Sequence, residues 1–353
     1  MKGRFHPRLS LVVASLAVAL TAALASTAFA STRAADAKPA LKPYTAKQWR
    51  ALIGRAQAEG AVTLYSVQDP TNLAALAKRF EEHFKIKVTV VRNVDSALLS
   101  IINAEHGTGK AVADIWVPSL KRLVLGSTTN GWLVDARGPN FFKSRYDRSK
   151  FLVGKGWVTG SAVLGMAWNT RAYSGSVTDV TTFLQPEFRG RIGVPDPRIS
   201  PSFMDWYLAQ QKKYGANIIE RLAGQNPKIY ISTLPMTQAV ASGEIIGAPC
   251  AAGTAIALKA AGAPIDYKVL PDNWNAPYIG VILKQGPHPN AAQLLANFMV
   301  SPEGQELANR GFGALYRDIP GTFFAQPRSV NVNDFTPAKV QAFNDKWVSL
   351  FTK

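Results

Sequence analysis

AVTLY (61–65), IKVTVV (86–91) and ADIWV (113–117) are three short apolar runs, and a longer stretch lies between each one and the next. In the two longer stretches, TNLAALAKRFEEHF (71–84) and SALLSIINAE (96–105), apolar residues return every three or four positions, which predicts amphipathic helices. The chain here therefore alternates strand, helix, strand, helix and strand. Such alternation favours a parallel sheet with helices on both faces, and so an α/β fold.

A second series of strands and helices follows a long apolar run, GSAVLGMAWN (160–169). Its predicted strands are RIGVPDP (191–197), KIYI (228–231), EIIGAP (244–249) and DYKVL (266–270), and its predicted helices begin at Ser200 and Thr254. A further long run and two closing helices are PYIGVILK (277–284), AAQLLANFMV (291–300) and SPEGQELANR (301–310). This pattern suggests two lobes, each a mainly parallel sheet flanked by helices, joined by two crossover strands. A ligand site is then expected between the lobes, at the carboxyl ends of the strands.

These patterns also predict where the lobes begin and end. The first lobe is expected to comprise 45–160 and 280–353, and the second lobe 169–275. Segments 161–168 and 276–279 are expected to form the hinge.

The first thirty residues have the form of an export signal. Lys2, Arg4 and Arg8 precede an uncharged stretch, and Ala28-Phe29-Ala30 has the small-x-small pattern of a cleavage site. We expect cleavage near Ala30, so that 1–30 is a signal peptide; the alternative is a membrane anchor. The polar segment 31–44 is expected to be a disordered linker at the start of a freely diffusing, exported chain.

The chain is strongly basic, with a formal net charge of +17. Three of these cations belong to the leader, which has no acidic residue, so the mature chain carries about +14. Nucleic acid is one partner for such a charge, but the cations are scattered and no aromatic-basic module is present. We therefore favour a basic surface that draws small anions towards a cleft, and expect no nucleic-acid partner.

The sequence offers little support for catalysis or for a metal site. Beyond the leader it has three histidines, His83, His106 and His288, and each lies at a predicted helix end or in a turn. Cys250 is the single cysteine, so a disulfide within the chain is excluded. No cluster of ligands has metal-site spacing, and no nucleophile elbow occurs. We expect a protein that is not an enzyme and that has no metal and no cofactor.

Polar residues follow several predicted strands or open the next helix. Each of them alone is typical of a helix N-cap, but as a group they are expected to converge at one end of each sheet. There the helix dipoles favour a carboxylate or phosphate, by about 0.3–1 kcal/mol for each helix. The residues are Ser66, Gln68, Asp69, Ser96, Ser119, Ser200 and Ser202.

Five motifs resemble the extracellular solute-binding proteins of ABC importers, which are type II periplasmic binding proteins. They are KQGPHPNAA (284–292), SPEGQ (301–305), FRGRIGVPDP (188–197), VASGEIIG (240–247) and VTLYS (62–66). The similarity is to the subgroup that includes ferric-iron, phosphonate and polyamine binders. It implies a periplasmic monomer that captures a small solute by lobe closure and delivers it to an inner-membrane permease and ATPase. It also implies that His288 is structural.

The resemblance also bears on Cys250. Ferric-iron members place adjacent tyrosines after the strand that corresponds to Glu244–Pro249, whereas this chain has Pro249-Cys250-Ala251-Ala252. Iron held by phenolates is therefore not expected, and Cys250 is expected to line the cleft as a small apolar group. With Tyr278, Cys250 completes the set of expected cleft residues.

The identity of the ligand stays open between two chemical classes. An organic anion, which the basic charge favours, would use the serine-rich helix starts, with Arg198 as a forked partner. A polyamine would need an acidic and aromatic cage, for which the candidates are Asp69, Asp205, Trp206, Trp274 and Tyr278, although Trp206 is expected to pack beside Tyr207 in a core. Ferric iron, an exported enzyme using Asp69 and Asp205, and a sensory receptor are the remaining alternatives.

Overall fold

The first part of the chain folds as the predicted alternation, and capping residues set the ends of its first helix. The computed structural model describes residues 41–270, 274–325 and 336–352, apart from the side chains of Arg122 and Pro201. Thr45 and Gln48 form a capping box before the first helix, and Gly60, with φ +68°, ends it. The elements are α1 (Ala46–Glu59), β1 (Ala61–Ser66), α2 (Pro70–Phe84), β2 (Lys87–Arg92), α3 (Asp95–Thr108), β3 (Ile115–Val117), α4 (Lys121–Thr129), β4 (Leu133–Val134), α5 (Arg148–Phe151) and β5 (Leu152–Val153).

β1 lies at the centre of this first sheet and pairs in parallel with both β2 and β3. Every residue of β1 after Ala61 is buried, as expected for a parallel strand that is covered on both faces. Leu64, Phe80 and Trp116 belong to the hydrophobic cluster that fills this half, which we call the first core.

Two long strands, β6 (Gly156–Asn169) and β11 (Asn275–Leu283), connect the two halves of the molecule. They pair antiparallel with each other from Trp157 to Val163 of β6. β11 then continues beside β3, whereas β6 continues beside the strands of the second half. β6 accordingly contributes Trp157 to the first core and Trp168 to a second one. These are the two crossover strands that the sequence predicts.

The second half contains its own short parallel sheet and its own hydrophobic clusters. Its elements are β7 (Gly193–Pro195), α6 (Pro201–Tyr214), α7 (Ile218–Gly224), β8 (Lys228–Tyr230), α8 (Thr233–Ser242), β9 (Gly247–Ala251), α9 (Ala252–Ala260) and β10 (Ile265–Lys268). β7 pairs in parallel with β8, and a parallel bridge joins Ile192 to Gly247 of β9. β9 and β10 flank the end of β6 in antiparallel pairs. The second core surrounds Trp206 and Phe183, and a third, smaller cluster surrounds Met236 and Val240.

The chain ends with a helix that departs from the expected division into lobes. The last elements are α10 (Pro289–Met299), α11 (Pro302–Asn309), β12 (Gly313–Ala314), β13 (Phe323–Phe324) and α12 (Pro337–Phe351). α10 and α11 pack on the first half, but Trp347 of α12 is buried in the second core, and Lys346 forms an ion pair with Glu220 of α7. Helix α12 therefore contacts the second half, whereas the sequence predicts that 280–353 belongs to the first lobe. It packs there because its aromatic face is buried against α6 and α7.

Residues Pro43–Lys353 form one compact unit. The predicted signal peptide, 1–30, and most of the predicted linker, 31–40, lie outside the described residues. Within the ranges that the structure does describe, no helix combines the length and the apolar character needed to cross a membrane.

Candidate functional site

A cavity of about 70 Å³ lies where the ends of the first sheet face the helix starts of the second half. One water needs at least about 10–15 Å³, so the cavity has room for more than one water-sized group. Its wall has an apolar part from Val67, Val94, Ala162, Leu164, Phe203, Ile231 and Ala276. The remaining wall is polar or aromatic and consists of Arg92, Asp95, Ser119, Ser200, Ser202, Ser232, Thr233, Trp274 and Tyr278.

Asp95 opens α3, and its side chain is buried at the edge of the cavity. The backbone N–H of Ser119 donates to Oδ1 at 3.0 Å, and the Ser119 hydroxyl donates to Oδ2 at 2.5 Å. The hydroxyl of Ser200, at the start of α6, donates to the same Oδ2 at 2.7 Å and lies 2.8 Å from the hydroxyl of Ser202. Asp95 therefore joins the first half of the molecule to the second directly across the cavity.

Arg92 is the last residue of β2 and forms a second connection across the cavity. Its Nη2 donates to the hydroxyl of Ser232 at 3.4 Å, and its Nε donates to the carbonyl of Gln68 at 3.5 Å. Both contacts are long, and a guanidinium has five N–H donors in a planar fork. Donors on Arg92 therefore remain for an anionic group that enters the cavity.

Two helices of the second half begin at the cavity wall. α6 has fourteen residues and begins after Ser200, whose side chain makes no capping bond. α8 has ten residues and is capped by Ser232, which accepts from the backbone N–H of Leu234. Because backbone N–H groups and the positive end of the dipole meet at a helix start, both helices favour an anion on the side where Arg92 lies.

Tyr278, on β11, and Trp274, just before that strand, give the cavity an aromatic wall. Burial raises the pKa of Tyr278 above its ordinary value, Asp69 and Asp95 add to this rise, and Arg92 opposes it. The phenol is therefore protonated at neutral pH and is available as a hydrogen-bond donor. The indole N–H of Trp274 donates to the buried carboxylate of Asp205 at 2.8 Å, which holds the ring in place.

The structure brings four of the nine expected cleft residues together in the cavity wall: Ser119, Ser200, Ser202 and Tyr278. Ser66, Gln68, Asp69 and Ser96 do not line it. The Ser66 hydroxyl lies 3.3 Å from Oε1 of Gln68, while Asp69 caps α2 through the backbone N–H groups of Thr71 and Asn72. Ser96 lies in the first turn of α3.

Cys250, the ninth expected cleft residue, lies in the third cluster and not at the cavity, which corrects the expectation that it lines the cleft. It pairs with Gly165 in the middle of the β6–β9 ladder and is fully buried. Burial raises the pKa of its thiol to about 12, although a backbone hydrogen bond from Gly165 opposes the rise. The side chain is thus a neutral core group and neither a nucleophile nor a metal ligand.

Arg198, the arginine that the sequence suggested as a partner for an anion, lies elsewhere. Arg198 forms a bidentate ion pair with Asp196, at 2.6 Å for the closest atoms, and its guanidinium lies over the ring of Trp347. It does not line the cavity. Arg92 and Asp95 were missed although they obey the rule that found the serines, since Arg92 ends a strand and Asp95 opens a helix. Trp206 packs against Tyr207 in the second core, as predicted.

The three histidines have structural surroundings away from the cavity. The ring of His83 is 3.5 Å from Glu303, the ring of His106 packs against Trp132, and His288 contacts Asp114. The carboxylate of Asp114 is fully buried and also accepts from the backbone N–H of Thr63. Among the described residues, no group of three histidine, cysteine or acidic side chains could hold a metal ion.

Solved structures with the same fold are periplasmic binding proteins. The substrate-binding protein of an ABC transporter from Agrobacterium tumefaciens has a TM-score of 0.72 at 15% identity, covering 82% of this chain and 94% of its own. AfuA from Actinobacillus pleuropneumoniae, with fructose-6-phosphate bound, has a TM-score of 0.66 at 20% identity, covering 83% and 99%. Iron-bound HitA from Pseudomonas aeruginosa has a TM-score of 0.62 at 20% identity, covering 83% and 98%. These likenesses show a two-lobed, mixed α/β fold.

The comparisons of sequence point to the same group of proteins. No curated protein sequence matches the chain. The family described as bacterial extracellular solute-binding protein matches residues 62–312, which is more than two thirds of the chain. Its members and the structural neighbours are binding proteins that serve transport. The chain belongs to the bacterial extracellular solute-binding protein family.

Proposed function

We propose that this protein captures a small organic anion in the cavity between its two halves and delivers it to the permease and ATPase of an ABC importer. The observation that carries the proposal is the position of Arg92, whose guanidinium faces the starts of α6 and α8 across a cavity of about 70 Å³. The guanidinium of Arg92 and the positive ends of the α6 and α8 dipoles therefore lie around the same cavity.

The remaining parts of this function are proposals of the same kind. We propose export after cleavage near Ala30 and a monomer in the periplasm, and both agree with the family. We also propose that the protein has no catalytic activity, which agrees with the family and with a cavity wall whose described residues include no histidine. We also propose lobes close to those expected from the sequence, with 161–168 and 276–279 as the hinge. The helix 337–351 is assigned to the second lobe because Trp347 is buried there.

Two neighbours bear on the class of ligand. AfuA holds a sugar phosphate, an organic anion, and HitA holds iron. For iron, the wall formed by the described residues supplies one tyrosine, Tyr278, and one carboxylate, Asp95, which is bonded to three donors already. The cavity therefore suits an anion better than a ferric ion, and its volume suits one with few atoms.

The test is a thermal-shift screen of the mature chain, 31–353, against short carboxylates and phosphonates, sugar phosphates, polyamines and ferric citrate. A ligand at one hundred times its dissociation constant stabilises the folded state by about 2.7 kcal/mol, which raises the unfolding midpoint by several degrees. We expect a shift with one class of anion, and we expect Arg92→Gln to abolish it.

Arg50→Gln is the matched control, because it removes the same charge from an exposed position on α1. An anion-induced shift that survives Arg92→Gln would contradict the assigned site. A shift produced by ferric citrate or a polyamine, and by no anion, would contradict the assigned class of ligand.

A further inference from the structure

We infer that the ligand is a short zwitterion, with an ammonium group held by Asp95 and an anionic group held by Arg92 and the starts of α6 and α8. This inference rests on the proposed function and narrows its ligand. Its basis is that one cavity wall contains both a carboxylate and a guanidinium, contributed by neighbouring segments of the first half.

The carboxylate of Asp95 joins the two halves and also lies in the wall of the cavity proposed to bind an anion. Its carboxylate is buried and is bonded by the Ser119 and Ser200 hydroxyls and a backbone N–H, all of which are uncharged donors. None of the ion pairs found among the described residues includes Asp95. A buried charge is costly unless an opposite charge accompanies it, and a ligand cation would provide one.

The carboxylate also has room for one more donor. Oδ2 accepts two hydrogen bonds, whereas Oδ1 accepts one, and an ionised carboxylate offers about four acceptor positions in all. An ammonium group can take the remaining position on Oδ1. A ligand with only negative charge would instead be repelled by Asp95, and more strongly once closure has excluded water from the cavity.

The aromatic wall supports the same assignment. Trp274 and Tyr278 line the cavity together with Asp95, and the ring of Trp274 is held by its hydrogen bond to Asp205. An ammonium group is attracted to the face of an indole or phenol ring as well as to a carboxylate. A cavity of about 70 Å³ favours a short ligand over a long polyamine.

The experiment compares matched probes by isothermal titration of the mature chain. The pairs are β-alanine with propionate, and 2-aminoethylphosphonate with ethylphosphonate; n-propylamine represents the cation alone. We expect the zwitterion of at least one pair to bind about thirty-fold or more tighter than its deaminated partner, because removing one member of a buried charge pair has an effect of that size. We expect n-propylamine to bind weakly, since it lacks the group that Arg92 would hold.

Asp95→Asn tests which residue recognises the ammonium group. It should remove the preference for the zwitterion and leave the deaminated anion bound equally well or better. Asp147→Asn is the control, since this carboxylate caps the short helix α5 at a half-buried position and does not line the cavity. The comparison of probes on the wild-type protein needs no variant and stands even if Asp95→Asn folds poorly.

The outcomes separate this inference from the proposed function. Equal binding of a zwitterion and its deaminated partner would refute the inference and leave an anion binder. If none of the four anionic and zwitterionic probes binds, the inference is also refuted. An Arg92-dependent thermal shift with a larger anion would in that case still support the proposed function. A preference for the zwitterion that persists in Asp95→Asn would show that another residue recognises the ammonium group.

Discussion

Cys250 is a small, fully buried side chain in the third cluster. The sequence indicates a small group among small neighbours, and that is what the third cluster contains. What the sequence does not indicate is the direction of the side chain. Cys250 lies within β9 (Gly247–Ala251), and its side chain is on the face of the strand that packs against α8 and α9.

The thiol of Cys250 should be unreactive in the folded protein. Its ordinary pKa of 9.0 is raised to about 12, so the native state holds about a thousand-fold less thiolate than the unfolded chain at pH 8. Dithiobisnitrobenzoate should therefore label no thiol in native protein within minutes and one thiol per chain in concentrated denaturant. Equally fast labelling in both states would show that Cys250 is accessible and would restore it to the cleft.

The candidate site illustrates a different limit of sequence reasoning. Of the polar residues that follow predicted strands or open predicted helices, Ser119, Ser200 and Ser202 lie in one cavity wall. The sequence could not separate these residues from Ser66 and Asp69, because capping and ligand binding use the same residue types. Only the packing of the two halves decides which polar groups remain facing the cavity.

At the scale of elements, the strands and helices of both sheets could be predicted because their hydrophobic periods are clear and capping residues mark their ends. The parallel strand β1 and the helix α2 are examples, with Asp69 as the N-cap of α2. α12 was missed. Its apolar residues include Trp347 and Phe351, but their partners are distant in sequence, so no local pattern shows where the helix packs.

α12 should contribute strongly to the stability of the second half. Trp347 is buried, stacks on Phe351 at 4.8 Å between ring centroids and packs against Tyr207 of α6. Trp347→Ala should therefore lower the free energy of unfolding by about 3–5 kcal/mol in urea denaturation. Ser349→Ala, at an exposed position of the same helix, should change it by less than about 0.5 kcal/mol. Similar values for the two variants would show that α12 is not docked in solution.

At the scale of the whole molecule, the two halves meet at the cavity through few polar contacts. The Ser200–Asp95 and Arg92–Ser232 hydrogen bonds join them there, the second at a long 3.4 Å, and a hydrogen bond to a charged group is worth about 1.5–3 kcal/mol net. The crossover strands β6 and β11 also join the halves, so we expect the halves to stay connected when the contacts at the cavity break and a ligand that bonds to both sides to favour closure.

Ser200→Ala should therefore shift the empty protein towards an open form. The lost bond to the Asp95 carboxylate is worth about 1.5–3 kcal/mol, which changes the ratio of closed to open molecules about 13- to 160-fold. Fluorescence transfer between dyes at Lys78→Cys on α2 and Lys212→Cys on α6 measures this ratio, because both positions are exposed and Cys250 should not compete for the dyes. Ser100→Ala, at an exposed site on α3, is the control. If Ser200→Ala and its parent show the same transfer efficiency, with and without ligand, then the Ser200–Asp95 bond does not govern closure and the halves are held together by their apolar contacts.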